Sequence, residues 1–355
     1  MRCDGWVLPM LALALGCSSE PSPPVPAGGC ADRPVVSDAR ARVLVDGGTP
    51  APMTYAQALV IAPNGDIAGT GVFGGQNGAF RLTRAGQLIR LATPAPYDLS
   101  DPAAMTSGGG VFGRATQSIG PFTGVAWGPD GTPTPIPAPD QTLAFLPSGT
   151  NDSELVPGTL IYAGGVHQRA AVWRQGVITN LGTLGPDNSQ SNATAVNAAG
   201  VVVGASETSV AGTMDVFTWT AAVGIRRLGR PGGTNVAMPV AINGCGLVSG
   251  TAMTPDGTAN RPWRWSEAAG FVHLPLPAGA TTGVVVGMDS LGVVYGNVSN
   301  GGQSTPYVWY RDRGEPLPGG STLVVRAVNA CGTAVGTYQQ TDNDGRIATW
   351  TRPGC

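Results

Sequence analysis

The sequence predicts an all-β fold, a single β-propeller of about seven four-stranded blades closed by an N-terminal strand. Three observations carry the prediction. Apolar aromatic residues recur at Phe80, Trp127, Trp173, Trp219, Trp265, Trp309 and Trp350, separated by 47, 46, 46, 46, 44 and 41 residues. Upstream of most of them stands a Gly-x-x-x-Gly pair: Gly65/Gly69, Gly109/Gly113, Gly200/Gly204, Gly246/Gly250, Gly292/Gly296 and Gly332/Gly336. Beyond Cys17 no stretch of helix length carries an apolar stripe at i, i+3, i+4 and i+7.

Each repeat resolves into four strands. Thr194 to Gly204 reads as strand, tight turn, strand, because β-branched runs flank an Asn and a Gly that tolerate positive φ. Asp215 to Trp219 alternates in character and makes a third strand, and Gly224 to Gly229 follows a glycine turn as a fourth. Units of this length bury their faces only by stacking on neighbours. The aromatic ladder is therefore expected to fill the wedges between sheets, each ring contributing on the order of 2 to 3 kcal/mol.

Two places depart from the pattern. In the third unit Leu160 to Gly165 lacks the glycine pair, and Pro133 to Gly158 reads as loop-rich. After Trp350 too little chain remains for a fourth strand, whereas Ala41 to Asp46 is a strand without a blade. An unpaired edge invites aggregation, so the N-terminal strand is expected to complete the last unit.

The N-terminus has the layout of an export signal: Arg2, an apolar run from Val7 to Leu15, then Gly16 before Cys17. The run is too short to span a membrane. Leu13-Ala14-Leu15-Gly16-Cys17 resembles the bacterial lipobox, and that resemblance implies lipidation of Cys17 as the new N-terminus, with Ser18 as an outer-membrane sorting cue. Ser18 to Gly29 is rich in proline and reads as an extended tether. The expected organisation is a lipoprotein-type signal at 1–16, a tether at 17–37 and a propeller domain at 38–355.

Leu181-Gly182-Thr183-Leu184-Gly185 followed by Ala195-Val196-Asn197-Ala198-Ala199-Gly200-Val201-Val202-Val203-Gly204 resembles the bacterial extracellular HAF repeat. There an LGTLGG segment precedes an A-x-N-x-x-G-x-x-x-G core and a His-Ala-Phe-x-Trp strand. Here the triplet stands as Gly78-Ala79-Phe80, Ala170-Ala171-Val172 and Asp215-Val216-Phe217, while the Asn-x-x-Gly and Trp marks remain. The resemblance implies a surface repeat protein of the cell envelope.

Composition excludes several chemistries. Only 12% of residues are charged and the net charge is -2, which leaves no field to hold nucleic acid. All 20 basic residues are arginine. Without lysine there is no Schiff base, P-loop lysine or serine–lysine dyad. The two histidines, His167 and His273, stand near no nucleophile motif. Asp342-Asn343-Asp344-Gly345 opens like a calcium loop but lacks the closing Glu, so a hairpin turn is the reading. Asp98, Asp101, Asp140, Asp152, Glu154, Asp187 and Asp215 are scattered, with no glycosidase-like pair among them. Asn197, Asn243, Asp289 and Asn329 recur in register, which points to turn geometry. No catalytic, cofactor-binding or metal-binding residue is assigned.

Besides Cys17, the expected mature chain has Cys30, Cys245, Cys331 and Cys355, an even set suited to an oxidising compartment, with three pairings open. Cys30–Cys355 is favoured as a staple across the closure. The functional expectation is an outer-membrane lipoprotein, or alternatively a secreted protein, that meets the membrane only through its lipid and presents a scaffold to a protein or glycan ligand. The alternative is an extracellular carbohydrate-active hydrolase or lyase whose carboxylates converge at the propeller mouth.

Overall fold

The computed structural model describes residues 43–48, 50, 52–118, 120–163, 167–311, 313–338 and 345–351. The signal, the tether, Cys17, Cys30, Cys355 and Asp342 to Asp344 lie outside the described residues. The described chain is all-β, and none of its helices is long and apolar enough to cross a membrane.

After β1 (Val43–Gly48), unit one comprises β2 (Met53–Ile61), β3 (Ile67–Phe73), β4 (Gln76–Leu82) and β5 (Leu88–Leu91). Unit two comprises β6 (Leu99–Met105), β7 (Val111–Thr116), β8 (Phe122–Trp127) and β9 (Pro133–Ile136). Unit three comprises β10 (Thr142–Pro147), β11 (Val156–Tyr162), β12 (Gln168–Arg174) and β13 (Val177–Gly182). The stretch expected to be loop-rich therefore carries two full strands and the start of a third. Unit four comprises β14 (Ser191–Val196), β15 (Val202–Glu207), β16 (Met214–Thr220) and β17 (Gly224–Gly229). Unit five comprises β18 (Val236–Ile242), β19 (Val248–Met253), β20 (Asn260–Ser266) and β21 (Gly270–His273). Unit six comprises β22 (Thr282–Met288), β23 (Val294–Ser299), β24 (Ser304–Tyr310) and β25 (Arg313–Pro316), and unit seven β26 (Leu323–Val328), β27 (Ala334–Tyr338) and β28 (Ile347–Thr351).

Every unit is an antiparallel meander, and units four and five join into one eight-stranded sheet through a single parallel bridge, Met214 to Val236. The last sheet has the order β1-β28-β27-β26. The N-terminal strand thus pairs with β28 as expected, two residues later than its predicted span, with Val43 opposite Thr351 and Asp46 opposite Ala348.

A glycine near the middle of each second strand sets the local geometry. Gly69, Gly113, Gly158, Gly204, Gly250, Gly296 and Gly336 each sit where an added Cβ would lie 2.0 to 2.4 Å from a carbonyl oxygen of the first strand. In six units the register slips just past the residue opposite this glycine, as at Ala193/Ala195 and Val285/Gly287. A bulge there bends the inner strand toward the glycine, and only hydrogen fits the gap. Gly158 shows that unit three does obey the motif. Its turn position, four residues earlier, is Glu154, held at φ 54 where the other units use glycine.

Each buried cluster joins one unit to the next. Ala68, Ala79 and Leu91 of unit one pack with Val111, Val125 and Trp127 of unit two. The series ends with Ala58 and Phe80 of unit one against Val335 and Ile347 of unit seven. Register refines the aromatic ladder. The six tryptophans all lie opposite the residue two before the recurring glycine: Val111, Val156, Val202, Val248, Val294 and Ala334. Phe80 instead lies opposite Gly69 itself, and Leu82 holds the tryptophan register in unit one.

The rungs are not equally buried. Trp127, Trp309 and Trp350 are buried, and their indole N–H groups donate to the carbonyls of Ala92, Pro275 and Pro318 at 2.7, 2.7 and 2.8 Å. Trp173, Trp219 and Trp265 are only half-buried. In units four and five the space over the glycine is filled by Phe217 and Trp263, two residues earlier on the same strand and the same face. In unit three it is filled by Phe145 from the first strand.

Candidate functional site

The turns between first and second strands collect on one end of the molecule. There they surround a cavity of about 510 Å³ lined by residues of every unit. Seven turn positions correspond, three residues before the positive-φ residue: Ala62, Thr106, Asn151, Asn197, Asn243, Asp289 and Asn329. Asn and Asp suit this place because a short side-chain acceptor reaches back to the backbone of its own turn. Asn197 Oδ1 accepts from the Val201 amide at 3.0 Å, and Asp289 Oδ1 accepts from Leu291 and Val293 at 2.9 and 3.0 Å.

The amide end of the same side chain ties each turn to its neighbour. Asn151 Nδ2 donates to Asn197 O at 2.9 Å, Asn197 Nδ2 to Asn243 O at 3.1 Å and Asn243 Nδ2 to Ser290 O at 3.4 Å. Asp289 has no amide to donate, and the link from unit six is made by Ser290 N to Ala330 O at 2.9 Å. Asn329 Nδ2 then reaches Ala62 O of unit one at 3.1 Å, across 267 positions of sequence. Unit one has Ala62 at the key position, and Asn64 donates instead to Ser107 O at 2.9 Å. Ser107 completes the circuit through its amide and hydroxyl to the Asp152 carboxylate at 2.8 and 2.9 Å. A continuous ring of hydrogen bonds therefore frames the cavity mouth.

Inside the ring the walls are mostly apolar, with Val60, Ile61, Val240, Ile242, Met288 and Val328 below a collar of Ser, Thr, Asn and Gly. Asp152 and Asp289 are the charged side chains in the lining, and no arginine or histidine joins them. Asp289 is fully buried.

The other candidates do not converge here. Asp98 accepts from the Ser118 hydroxyl at 2.7 Å, a bond that lowers its pKa from the ordinary value. Asp101 pairs with Arg114 at 3.1 Å. Asp215, fully buried, is clamped between Arg227 and Arg230 at 2.5 and 2.6 Å. Asp140, Glu154 and Asp187 lie in turns outside the cavity lining. His167 is exposed, and His273, exposed on β21, has Nε2 3.1 Å from Gly232 O. Among the described residues no group of three or more His, Cys, Asp or Glu is placed to hold a metal ion.

One polar contact was invisible in the sequence. Asp66 and Arg81, both buried, pair at 2.6 Å, and Arg81 also donates to Pro129 O at 3.0 Å, joining units one and two. Burial works to raise the Asp66 pKa. The Arg84 amide, the Arg81 guanidinium and Asn64 outweigh it and hold the carboxyl below its ordinary value.

No protein-family model and no curated protein matches the chain. Solved structures do match, at the level of architecture. A streptogramin B lyase structure superimposes with a TM-score of 0.53 over 87% of this chain and 97% of that one, at 12% identity. The β-propeller domain of the Trilobed protease from Pyrococcus furiosus gives 0.58 over 85% and 95%, at 10% identity. The chain shares the β-propeller fold. An oligogalacturonate lyase in complex with manganese gives 0.57 over 88% and 98%, at 9% identity. At such identities the propeller architecture is what is common, and activity does not transfer with it.

Proposed function

We propose that this protein is an exported, lipid-anchored propeller of seven four-stranded blades, closed by β1, that works as a binding scaffold and takes its ligand at the axial cavity. The observation that carries the reading is the composition of that cavity. Its size falls in the range of small-molecule sites, and every blade contributes to it. Its lining offers backbone groups, hydroxyls and amides beside apolar side chains, and its two carboxylates accept hydrogen bonds from neighbouring amides and a hydroxyl, the equipment of recognition.

Charge narrows the ligand. With two carboxylates and, among the described lining residues, no cationic side chain, a neutral or cationic ligand fits better than an anion, and a neutral glycan end is the leading case. The HAF and lipobox resemblances support the same picture of a surface module, and an outer-membrane location is part of the proposal. The hydrolase or lyase alternative draws support from the fold alone.

The test is a glycan array probed with the purified chain and with Ala198→Trp and Gly244→Trp, two substitutions at exposed cavity-lining positions. Neutral glycans should bind, and both variants should lose at least tenfold in affinity while melting like the parent. Preference for acidic glycans, or binding that survives both tryptophans, would overturn the axial site.

A further inference from the structure

We infer that the cleft between units five and six is a second binding site, beside the axial cavity, for a small amphipathic anion: an apolar ring system carrying one carboxylate. The cleft measures about 390 Å³, within the range of small-molecule sites. Two turns separate it from the axis. Asn243 and Asp289 of these turns line the axial cavity, whereas Leu247 and Leu291, further along the same turns, line the cleft, and Met288 borders both. A Cβ on Gly292 would lie 2.8 Å from Leu247 Cδ1, so the two units touch there with no room for a side chain. Leu247 and Leu291 are half-buried, and Val272 on β21 is 36% exposed. Trp265, which yields the glycine slot of unit five to Trp263, stands half-buried in the same lining. Apolar surface left accessible in a concave site gains free energy when a ligand covers it.

The charged members of the lining are Arg264, Glu267 and Arg311. Glu267 Oε1 accepts from Arg226 of unit four at 2.6 Å, and Arg226 is not among the lining residues. The one carboxylate is thus paired from outside, and the two guanidiniums set the sign of the cleft. Each has an interaction of its own within the chain, and a guanidinium with five N–H donors can hold that partner and a ligand oxygen together. Arg311 also breaks the turn pattern of the repeat. The connection from third to fourth strand is made with a positive-φ glycine in units one to five: Gly86, Gly131, Gly176, Gly224 and Gly270. Unit six has no glycine from Tyr310 to Arg313, and Arg311 takes φ 39 instead. A long side chain held in the left-handed region costs stability, and such exceptions collect where the side chain serves a site.

Three probes of nearly equal size test the site on the full chain by titration calorimetry: naphthaleneacetate, naphthaleneethanol and naphthaleneethylamine. The parent should bind the anion about tenfold more tightly than the alcohol, and the amine most weakly. Arg264→Gln and Arg311→Gln should each remove most of the anion's advantage and leave the alcohol unchanged. Ala269→Trp, at an exposed lining position, should block the anion while the protein melts like the parent. Ala198→Trp, at the axial mouth, should leave naphthaleneacetate binding as in the parent, so this site stands or falls separately from the axial one. Absence of binding, equal affinity for anion and alcohol, or an advantage that survives both arginine variants would overturn the inference. So would anion binding that survives Ala269→Trp or is lost in Ala198→Trp.

Discussion

Units four and five and units six and seven are built from the same repeat, yet they bury different rings. In units six and seven Trp309 and Trp350 cover the strand glycine and hydrogen-bond to the preceding linker. In units four and five Phe217 and Trp263 cover the glycine from two residues earlier, and Trp219 and Trp265 are displaced to half-burial. The slot over the glycine accepts one large ring. Ala348 in unit seven leaves it open for the tryptophan, whereas Phe217 in unit four fills it. A repeated tryptophan is therefore a mark of register, and its energetic weight depends on which ring takes the slot: Phe217 and Trp263 take it from two positions before, Phe145 takes it from the first strand in unit three, and Trp309 keeps it although Tyr307 stands two positions before. Trp263 also illustrates a cost of the exchange: its buried indole N–H has no hydrogen-bond partner among the described residues.

The largest effect that would break this comparison is on stability. Trp309→Ala and Trp350→Ala should each destabilise by about 3 to 5 kcal/mol, as truncation of a fully buried ring does, and Trp219→Ala by no more than about 1 to 2 kcal/mol. Chemical denaturation of the three variants decides it. Equal losses would mean that the two arrangements are energetically the same. Trp309→Phe, which keeps a ring but loses the bond to Pro275 O, should cost about 1 kcal/mol more than Trp219→Phe, which has no such bond to lose.

A smaller effect concerns unit one, which has Leu82 in place of the tryptophan and joins unit two through Asp66 and Arg81. Asp66 has a lowered pKa in the folded chain, so its stabilising contribution is present above the unfolded carboxyl value and is lost as pH falls through about 3.9 toward the folded value. Melting temperature followed from pH 7 to pH 3 should therefore fall less steeply in Asp66→Asn than in the parent. Identical slopes would show that the pair adds nothing to the acid response.

Much of this was legible in the sequence, because strand periodicity, glycine turns and the spacing of tryptophans are local signals. The repeat, the hairpin at Thr194 to Gly204 and the pairing of the N-terminal strand with β28 all follow from them. What was not legible depends on side chains two residues apart sharing a face. Phe80 and Leu82, or Trp263 and Trp265, are equivalent by pattern, and only packing chooses between them. Unit three hid its glycine motif because Glu154 adopts the positive φ that the pattern assigns to glycine. The candidate site was half visible: recurrence identified Asn197, Asn243, Asp289 and Asn329 as turn residues. That their amides close a ring through Asn64, Ser107 and Asp152 depends on contacts between units, which no single repeat encodes.

The central proposal is that the units form a ring held shut at one seam, where β1 pairs with β28 and Asn329 Nδ2 donates to Ala62 O. Deleting residues 38–47 and comparing calorimetric with van't Hoff enthalpy on thermal unfolding tests it most directly. The closed-ring account predicts a lower melting temperature and a calorimetric enthalpy that exceeds the van't Hoff value, because the last unit unfolds ahead of the rest. A truncated chain that melts as one cooperative unit at the parent temperature would contradict it.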